Sequence, residues 1–179
     1  MKLRLFLLLA STLLAGSAMA QSCSTLPFTF PLPGAADKPV PSGTCLANVD
    51  AGPTGQGGRL RWNNNGSHEL QLFDSDDAGQ LLWCANNAGV CAVGGILCAQ
   101  QDGNLVMYSQ VQGQPPIACH NDGNGGAVAW SSGTRGKNDG QEALTVEEDI
   151  SCGGATRSGD RAVVRNGQGV HWCSTGYND

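Results

Sequence analysis

The sequence predicts an all-β domain made of three similar antiparallel units and held by disulfides. Three observations predict it. Apolar runs of about four to seven residues alternate with turns rich in glycine, asparagine and aspartate, the pattern of short strands joined by tight connections. Trp83, Trp130 and Trp172 lie 47 and 42 residues apart, each closing an apolar strand and each followed by Cys84, Ser131 or Cys173. Such spacing implies a pseudo-threefold body, because one copy of so small a unit cannot bury its own apolar face. The three tryptophans are therefore expected in the core, where the units meet. Finally, the eight cysteines form an even set behind an N-terminal export-type segment, which reads as disulfides.

That segment is the first element in order. Met1-Lys2-Leu3-Arg4, the apolar run Leu5–Ala15 and Ala18-Met19-Ala20 form a basic start, an apolar centre and a small-residue cleavage site. Residues 1–20 thus read as a secretory signal peptide. The apolar run is too short to span a bilayer comfortably and no second one follows, so no membrane insertion is expected. The destination is extracellular, cell wall or periplasm. Removing residues 1–20 takes away two of the ten basic residues and none of the fifteen acidic ones, which moves the net charge from −5 to −7. An acidic chain with no basic cluster argues against nucleic acid and anionic membranes as partners.

Residues 21–41 hold Pro27, Pro31, Pro33, Pro39 and Pro41, which forbid a helix interior and a central strand alike. They read as an irregular arm with Cys23 and Cys45 placed to tether its ends, ahead of one domain over 42–179. Strands follow at Arg59–Trp62, Glu69–Phe73, Gln80–Cys84, Ile96–Gln100, Asn104–Ser109, Ala127–Ser132, Ala143–Ile150, Arg161–Arg165 and Val170–Cys173. Ala51–Gly58 and Gln110–Gly126 are loops. Eight cysteines allow 105 pairings, which spacing alone leaves open.

The chemistry concentrates in Gln100–Tyr108. Gln100, Asp102, Asn104, Val106 and Tyr108 occupy alternate positions, so on a strand they share a face. Laid straight, nine residues would spread over roughly 26 Å. Asp102-Gly103 between apolar runs predicts a two-residue hairpin turn instead, which folds the set into one patch. Amide, carboxylate and phenol groups beside a valine suit a sugar, with its hydroxyls and its C–H face. A polar turn alone would require neither Gln100, Val106 nor Tyr108.

These five residues match the Q-x-D-x-N-x-V-x-Y signature of the bulb-type (monocot mannose-binding) lectins, which the chain resembles over about 42–176. Ala129-Trp130-Ser131-Ser132-Gly133-Thr134 is similar to that family's W-x-S-x-T segment. The resemblance implies a β-prism II fold of three four-stranded sheets. It further implies a mannose site in which Asp102 and Asn104 bond the 2-hydroxyl region, Gln100 and Tyr108 bond neighbouring hydroxyls, and Val106 packs on the ring. Mannose or mannosylated glycans would be the partners, with no cofactor and no catalysis. Counting back from Phe73 and Arg165 puts Asn65, Ser67, Glu69 and Gln71, or Arg157, Gly159, Arg161 and Val163, on the other signature positions. Neither set keeps the carboxylate acceptor, so one competent site is expected. Useful affinity from single weak sites needs several presented together, as a homo-oligomer would do.

Other constellations carry less. His68, His120 and His171 stand apart with no second ligand at metal spacing, and no C-x-x-C occurs. Asp74–Gly79 is similar to a calcium loop but lacks its closing glutamate. Glu147-Glu148-Asp149 on a strand would alternate faces as a solvated edge rather than form a paired-carboxylate site. Asn65-Gly66-Ser67 is a glycosylation sequon. Two alternatives to the lectin reading are a β-trefoil carbohydrate-binding module, whose Q-x-W signature is absent, and a secreted non-catalytic effector or inhibitor working through loop 110–126.

Overall fold

A computed structural model describes residues 23–48, 57–63, 69–74, 80–87, 90–109, 119 and 127–174. Outside the described residues lie segment 1–20, the sequon, His68 and His120, positions 75–79 of the calcium-like turn, and loop 110–126 apart from Cys119. The chain is all-β. Strands β3 (Cys45–Ala47), β4 (Arg59–Asn63), β5 (Glu69–Phe73) and β6 (Leu81–Cys84) form sheet I in that order. Sheet II runs β2 (Lys38–Pro39), β9 (Ile96–Ala99), β10 (Leu105–Tyr108), β11 (Val128–Ser131). Sheet III runs β1 (Phe28–Thr29), β12 (Ala143–Cys152), β13 (Ala155–Asn166), β14 (Gly169–Cys173). A ribbon of β7 (Asn86–Asn87) and β8 (Val90–Cys91) completes the described strands. Every pairing between strands is antiparallel. Among the described residues the pairings close no barrel, which removes the support a β-trefoil would need.

Alternation explains how three thin sheets share one core. Leu70 and Leu72 of β5, Leu105 and Met107 of β10, and Ala162 and Val164 of β13 point inward and join a single buried cluster. The residues between and beside them, one position away, point to the opposite face of each sheet. Each sheet offers an edge strand carrying a tryptophan, and the three rings meet edge to face. Centroids are 5.8 Å apart for Trp83–Trp130, 5.4 Å for Trp83–Trp172 and 5.4 Å for Trp130–Trp172. Each such pair adds about 0.5–1.5 kcal/mol beyond the area it buries. The registers correspond as well: Leu72 pairs with Trp83, Met107 with Trp130 and Val164 with Trp172, and in each case the register shifts at the next residue.

The proline-rich arm is not irregular throughout. It supplies β1 to sheet III and β2 to sheet II, and Phe30 and Val40 enter the core. Both strands lie at sheet edges, where a proline such as Pro39 removes no needed ladder bond. Cys23–Cys45 tethers the arm, and Cys84–Cys91, Cys98–Cys119 and Cys152–Cys173 complete the bridges. Each constrains a loop of the unfolded chain, typically worth 2–4 kcal/mol. The hairpin of sheet III is also longer than expected. Rather than breaking at Ile150, it continues to a two-residue turn at Gly153-Gly154, whose φ values of 62° and 85° suit glycine.

Candidate functional site

The signature hairpin turns on three residues rather than two. Gln100 N–H donates to the Asn104 carbonyl (2.9 Å) and Gly103 N–H to the Gln100 carbonyl (3.0 Å), so Gln101-Asp102-Gly103 forms the loop. This is the three-residue connection whose last member must take a left-handed backbone, and Gly103 has φ 87°. A Cβ there would also stand 2.7 Å from the backbone nitrogen of Asn138. Glycine is thus required twice over, once by dihedral and once by contact.

All five expected residues, Gln100, Asp102, Asn104, Val106 and Tyr108, line one cleft of about 140 Å³. Each is held. The Gln100 amide donates to the Tyr108 hydroxyl (3.0 Å) and to Asp37 Oδ2 (3.2 Å). Asp102 Oδ1 accepts the N–H of Asn104 (3.1 Å), an Asx turn, while Oδ2 meets Arg135 Nε at 3.2 Å. Asn104 Oδ1 accepts from Ser132 Oγ (3.1 Å) and from the Thr134 N–H (3.3 Å). The W-x-S-x-T segment therefore has a structural task, namely fixing the Asn104 rotamer. With its oxygen so engaged, Asn104 keeps its NH₂ group as donor.

Burial sets the electrostatics. The pKa of Tyr108 is pushed above that of an ordinary phenol, first by burial and then by the Asp37 carboxylate, with the Gln100 hydrogen bond opposing. The phenol stays protonated, and because its oxygen already accepts from Gln100 its proton is left to donate. Val106 and Tyr108 are themselves nearly covered, at 3% and 5% exposure, by packing against Ile96 and the Cys98–Cys119 bridge. The accessible apolar surface of the cleft comes instead from Val128, 57% exposed on the neighbouring edge strand. Sequence reasoning missed Val128, Arg135 and Asp37. Val128, two residues from the core-facing Trp130, reaches the cleft only through the register shift between Met107 and Tyr108, and Arg135 meets Asp102 across 33 residues. Asp37 lies 63 residues before its partner, with no local signal to join them.

The sister hairpins fill the corresponding places differently. Gln100, paired with Asn104, lies two positions beyond the Cys98–Val106 pair; by the same step Glu147 and Arg161 lie beyond Thr145–Val163, and Asn63 and Glu69 beyond Arg61–Gln71. The residue equivalent to Gln100 is thus Glu147 in sheet III and Asn63 in sheet I, not Arg157 or Asn65. Counting along one strand misplaced them because the hairpins differ in length. In sheet III Arg165 Nη1 pairs with Glu147 Oε2 at 2.8 Å, and Thr145 Oγ1 donates to Glu147 Oε1 at 2.7 Å. In sheet I Arg61 stacks on Phe73 at 5.3 Å and Gln71 bonds Glu69.

Away from these hairpins, Glu142 is fully buried beside His171, whose Nε2 lies 3.7 Å from its Oε1. Burial, then Asp139, raises the pKa of Glu142 to about 7; Asn166 opposes the shift without reaching hydrogen-bond geometry. Among the described residues no three metal-ligating side chains gather, and no helix is long and apolar enough to cross a membrane. The acidic run is dispersed: Glu147 is paired, and Asp149 sits at a bulge with φ 51° and accepts the Gly159 N–H at 3.0 Å. Compared with protein-family models, with curated proteins and with solved structures, the chain finds no match.

Proposed function

We propose that this chain is a secreted, non-catalytic lectin of the bulb-type kind. Its three sheets would be copies of one unit arranged as a β-prism, and mannose or a mannose-bearing glycan would occupy the cleft of sheet II. The observation that carries this reading is the convergence of Gln100, Asp102, Asn104, Val106 and Tyr108 on one cleft, with the four polar side chains engaged in hydrogen bonds and Val106 held by packing before any ligand arrives. Pre-set polar groups do not have to lose side-chain freedom on binding, which is the main cost a weak monosaccharide site must overcome. Four disulfides are compatible with an oxidising compartment outside the cytosol.

In this reading Asp102 accepts from the 2-hydroxyl region, the Asn104 amide and the Tyr108 hydroxyl donate, and Gln100 serves a neighbouring hydroxyl. Val128 takes most of the contact with ring carbons, beside Val106. The Arg135–Asp102 pair does not block the site, since the guanidinium side chain is 75% exposed. Exposed ion pairs contribute only about 0.2–1 kcal/mol, and a carboxylate oxygen can accept a second hydrogen bond. Such a site suits a millimolar monosaccharide, about 4 kcal/mol. Homo-oligomeric presentation would raise the avidity.

Calorimetry with methyl α-mannoside, beside a glycan array on oxidised protein, tests this. Saturable binding that is lost in Asp102→Ala, with the near-UV signal of the tryptophan cluster unchanged, is expected. No heat at millimolar sugar, or equal heat from Asp102→Ala, overturns it.

A further inference from the structure

We infer that the cleft is the first of two contiguous subsites, so that the ligand is a neutral oligosaccharide of at least two hexose units; this rests on the carbohydrate-binding reading. A second depression of about 280 Å³, twice the volume of the first, opens beside it. The two share Gln100, Asp102 and Arg135, so they adjoin and a ligand longer than one ring can lie across both. The far wall is the proline-rich arm, with Pro33, Gly34 and Asp37 facing Gln101 of the hairpin loop.

That wall is built rather than draped. Gly34 N–H donates to Gln101 Oε1 at 2.8 Å, and Asp37 Oδ1 accepts the Gln101 N–H at 2.9 Å. Asn138 Nδ2 ties the two sides together, donating to the Pro31 and Gln101 carbonyls at 2.8 Å each. Immediately after Asp37 the arm enters β2 and is locked into sheet II, with Lys38 opposite Ala99. The arm is thereby fixed on both sides of the depression. These contacts account for an otherwise odd feature, a proline-rich segment held against a turn that the fold could leave bare.

The lining tells what it takes. The pyrrolidine ring of Pro33 offers a C–H surface, and Gln101, Asp37 and Arg135 offer amide, carboxylate and guanidinium groups. This is again the mixture a hexose uses. Two carboxylates, Asp37 and Asp102, face one guanidinium across the shared boundary, so the local charge is negative. A uronate, sialyl, sulfate or phosphate group would be repelled, whereas a neutral sugar is not.

The test is calorimetry on the full oxidised chain with methyl α-mannoside, the α-linked mannobioses and mannose 6-phosphate. At least one mannobiose is expected to bind tenfold or more tightly than methyl mannoside, with no such gain for the phosphate. Gln101→Ala and Pro33→Gly should lower the mannobiose affinity toward that of the monosaccharide while leaving the monosaccharide's own affinity unchanged. Equal affinity for monosaccharide and every mannobiose overturns the second subsite while the mannose reading stands. So does an equal loss for both ligands in both variants. Absence of binding by all three ligands overturns the inference and the mannose reading together.

Discussion

Where Gln100 donates to the Tyr108 hydroxyl in the middle sheet, the third sheet sets Glu147 against Arg165. Both pairs bridge the same two strands at the same register, on the face away from the tryptophans. The neutral pair leaves capacity unused: the phenol keeps its proton, and the amide oxygen of Gln100 remains an acceptor. The ion pair is self-satisfied, with Thr145 bonding the remaining carboxylate oxygen. The loops beyond differ as well. The middle hairpin closes at once on Asp102-Gly103, which puts a carboxylate at the cleft, whereas the third runs on to Gly153-Gly154, and its Asp149, two residues after Glu147, accepts the Gly159 N–H of its own hairpin. One register therefore yields a surface with hydrogen-bonding capacity left over in one sheet and a surface satisfied by itself in another. The choice lies in a few side chains and in loop length.

The sharpest way to break this comparison is at the two turns. Gly103 and Gly154 have nearly equal φ, 87° and 85°, but a Cβ at Gly103 meets the Asn138 backbone at 2.7 Å whereas one at Gly154 meets nothing within 4 Å. Gly154→Ala should cost only the left-handed strain, about 1–2 kcal/mol. Gly103→Ala adds a backbone collision and should cost roughly 3 kcal/mol or more, and with it sugar binding. Denaturant midpoints of the two variants measure the difference; equal losses would show that the hairpin loop of sheet II is not clamped by 138.

A second contrast concerns two buried acids. Tyr108 holds its proton at the cleft, and Glu142 holds its own up to about neutral pH inside, each chiefly through burial. For Glu142 the folded value of about 7 lies above its ordinary 4.5. Between these values the folded state holds a proton that the unfolded state has lost, so stability falls as pH rises through that window. It is full below 4.5 and levels off above 7, with a total loss of about 3 kcal/mol. Glu142→Gln should flatten this slope and leave the chain more stable than the parent at pH 8. If Glu142 were instead ionised and paired with His171 across their 3.7 Å gap, the variant would be destabilised at every pH above 5, and the assignment of a protonated acid would fall.

The legible parts of this molecule are those where one physical rule acts locally. Period-two alternation located β5 to the residue and β9, β10 and β14 to within one, because alternate residues of a strand face the core; in β9 and β10 the opposite face is covered as well, beside the Cys98–Cys119 bridge. It also placed Gln100 through Tyr108 on a common side. The arm's strands were hidden, because the prolines that exclude a central strand say nothing against an edge, and an edge is recognised only from its partner. Loop length was misread at the middle hairpin, since Asp-Gly serves two-residue and three-residue turns alike, and the third hairpin was cut short because its glycine-rich stretch hid strand that continues to Gly153-Gly154. Asp37 and Arg135 were out of reach for another reason. Each meets the hairpin through tertiary contact, across 63 residues for Asp37 and 33 for Arg135.

The smallest effect concerns the two cross-strand pairs themselves. Arg165 is 43% exposed and Glu147 16%, so their ion pair is partly screened, and such a pair contributes about 0.5 kcal/mol. The Gln100–Tyr108 hydrogen bond is buried, which places its net contribution nearer 1 kcal/mol. Double-mutant cycles on Glu147/Arg165 and on Gln100/Tyr108, using Ala for the polar residues and Phe for Tyr108, measure both couplings. The first should shrink in 1 M salt and leave sugar binding untouched. The second should be independent of salt, and each of its single variants should weaken sugar binding by tenfold or more. If the Glu147 and Arg165 variants weakened binding as well, the third hairpin would be part of a ligand surface, and the division between a sheet with capacity left over and a self-satisfied one would have to be abandoned.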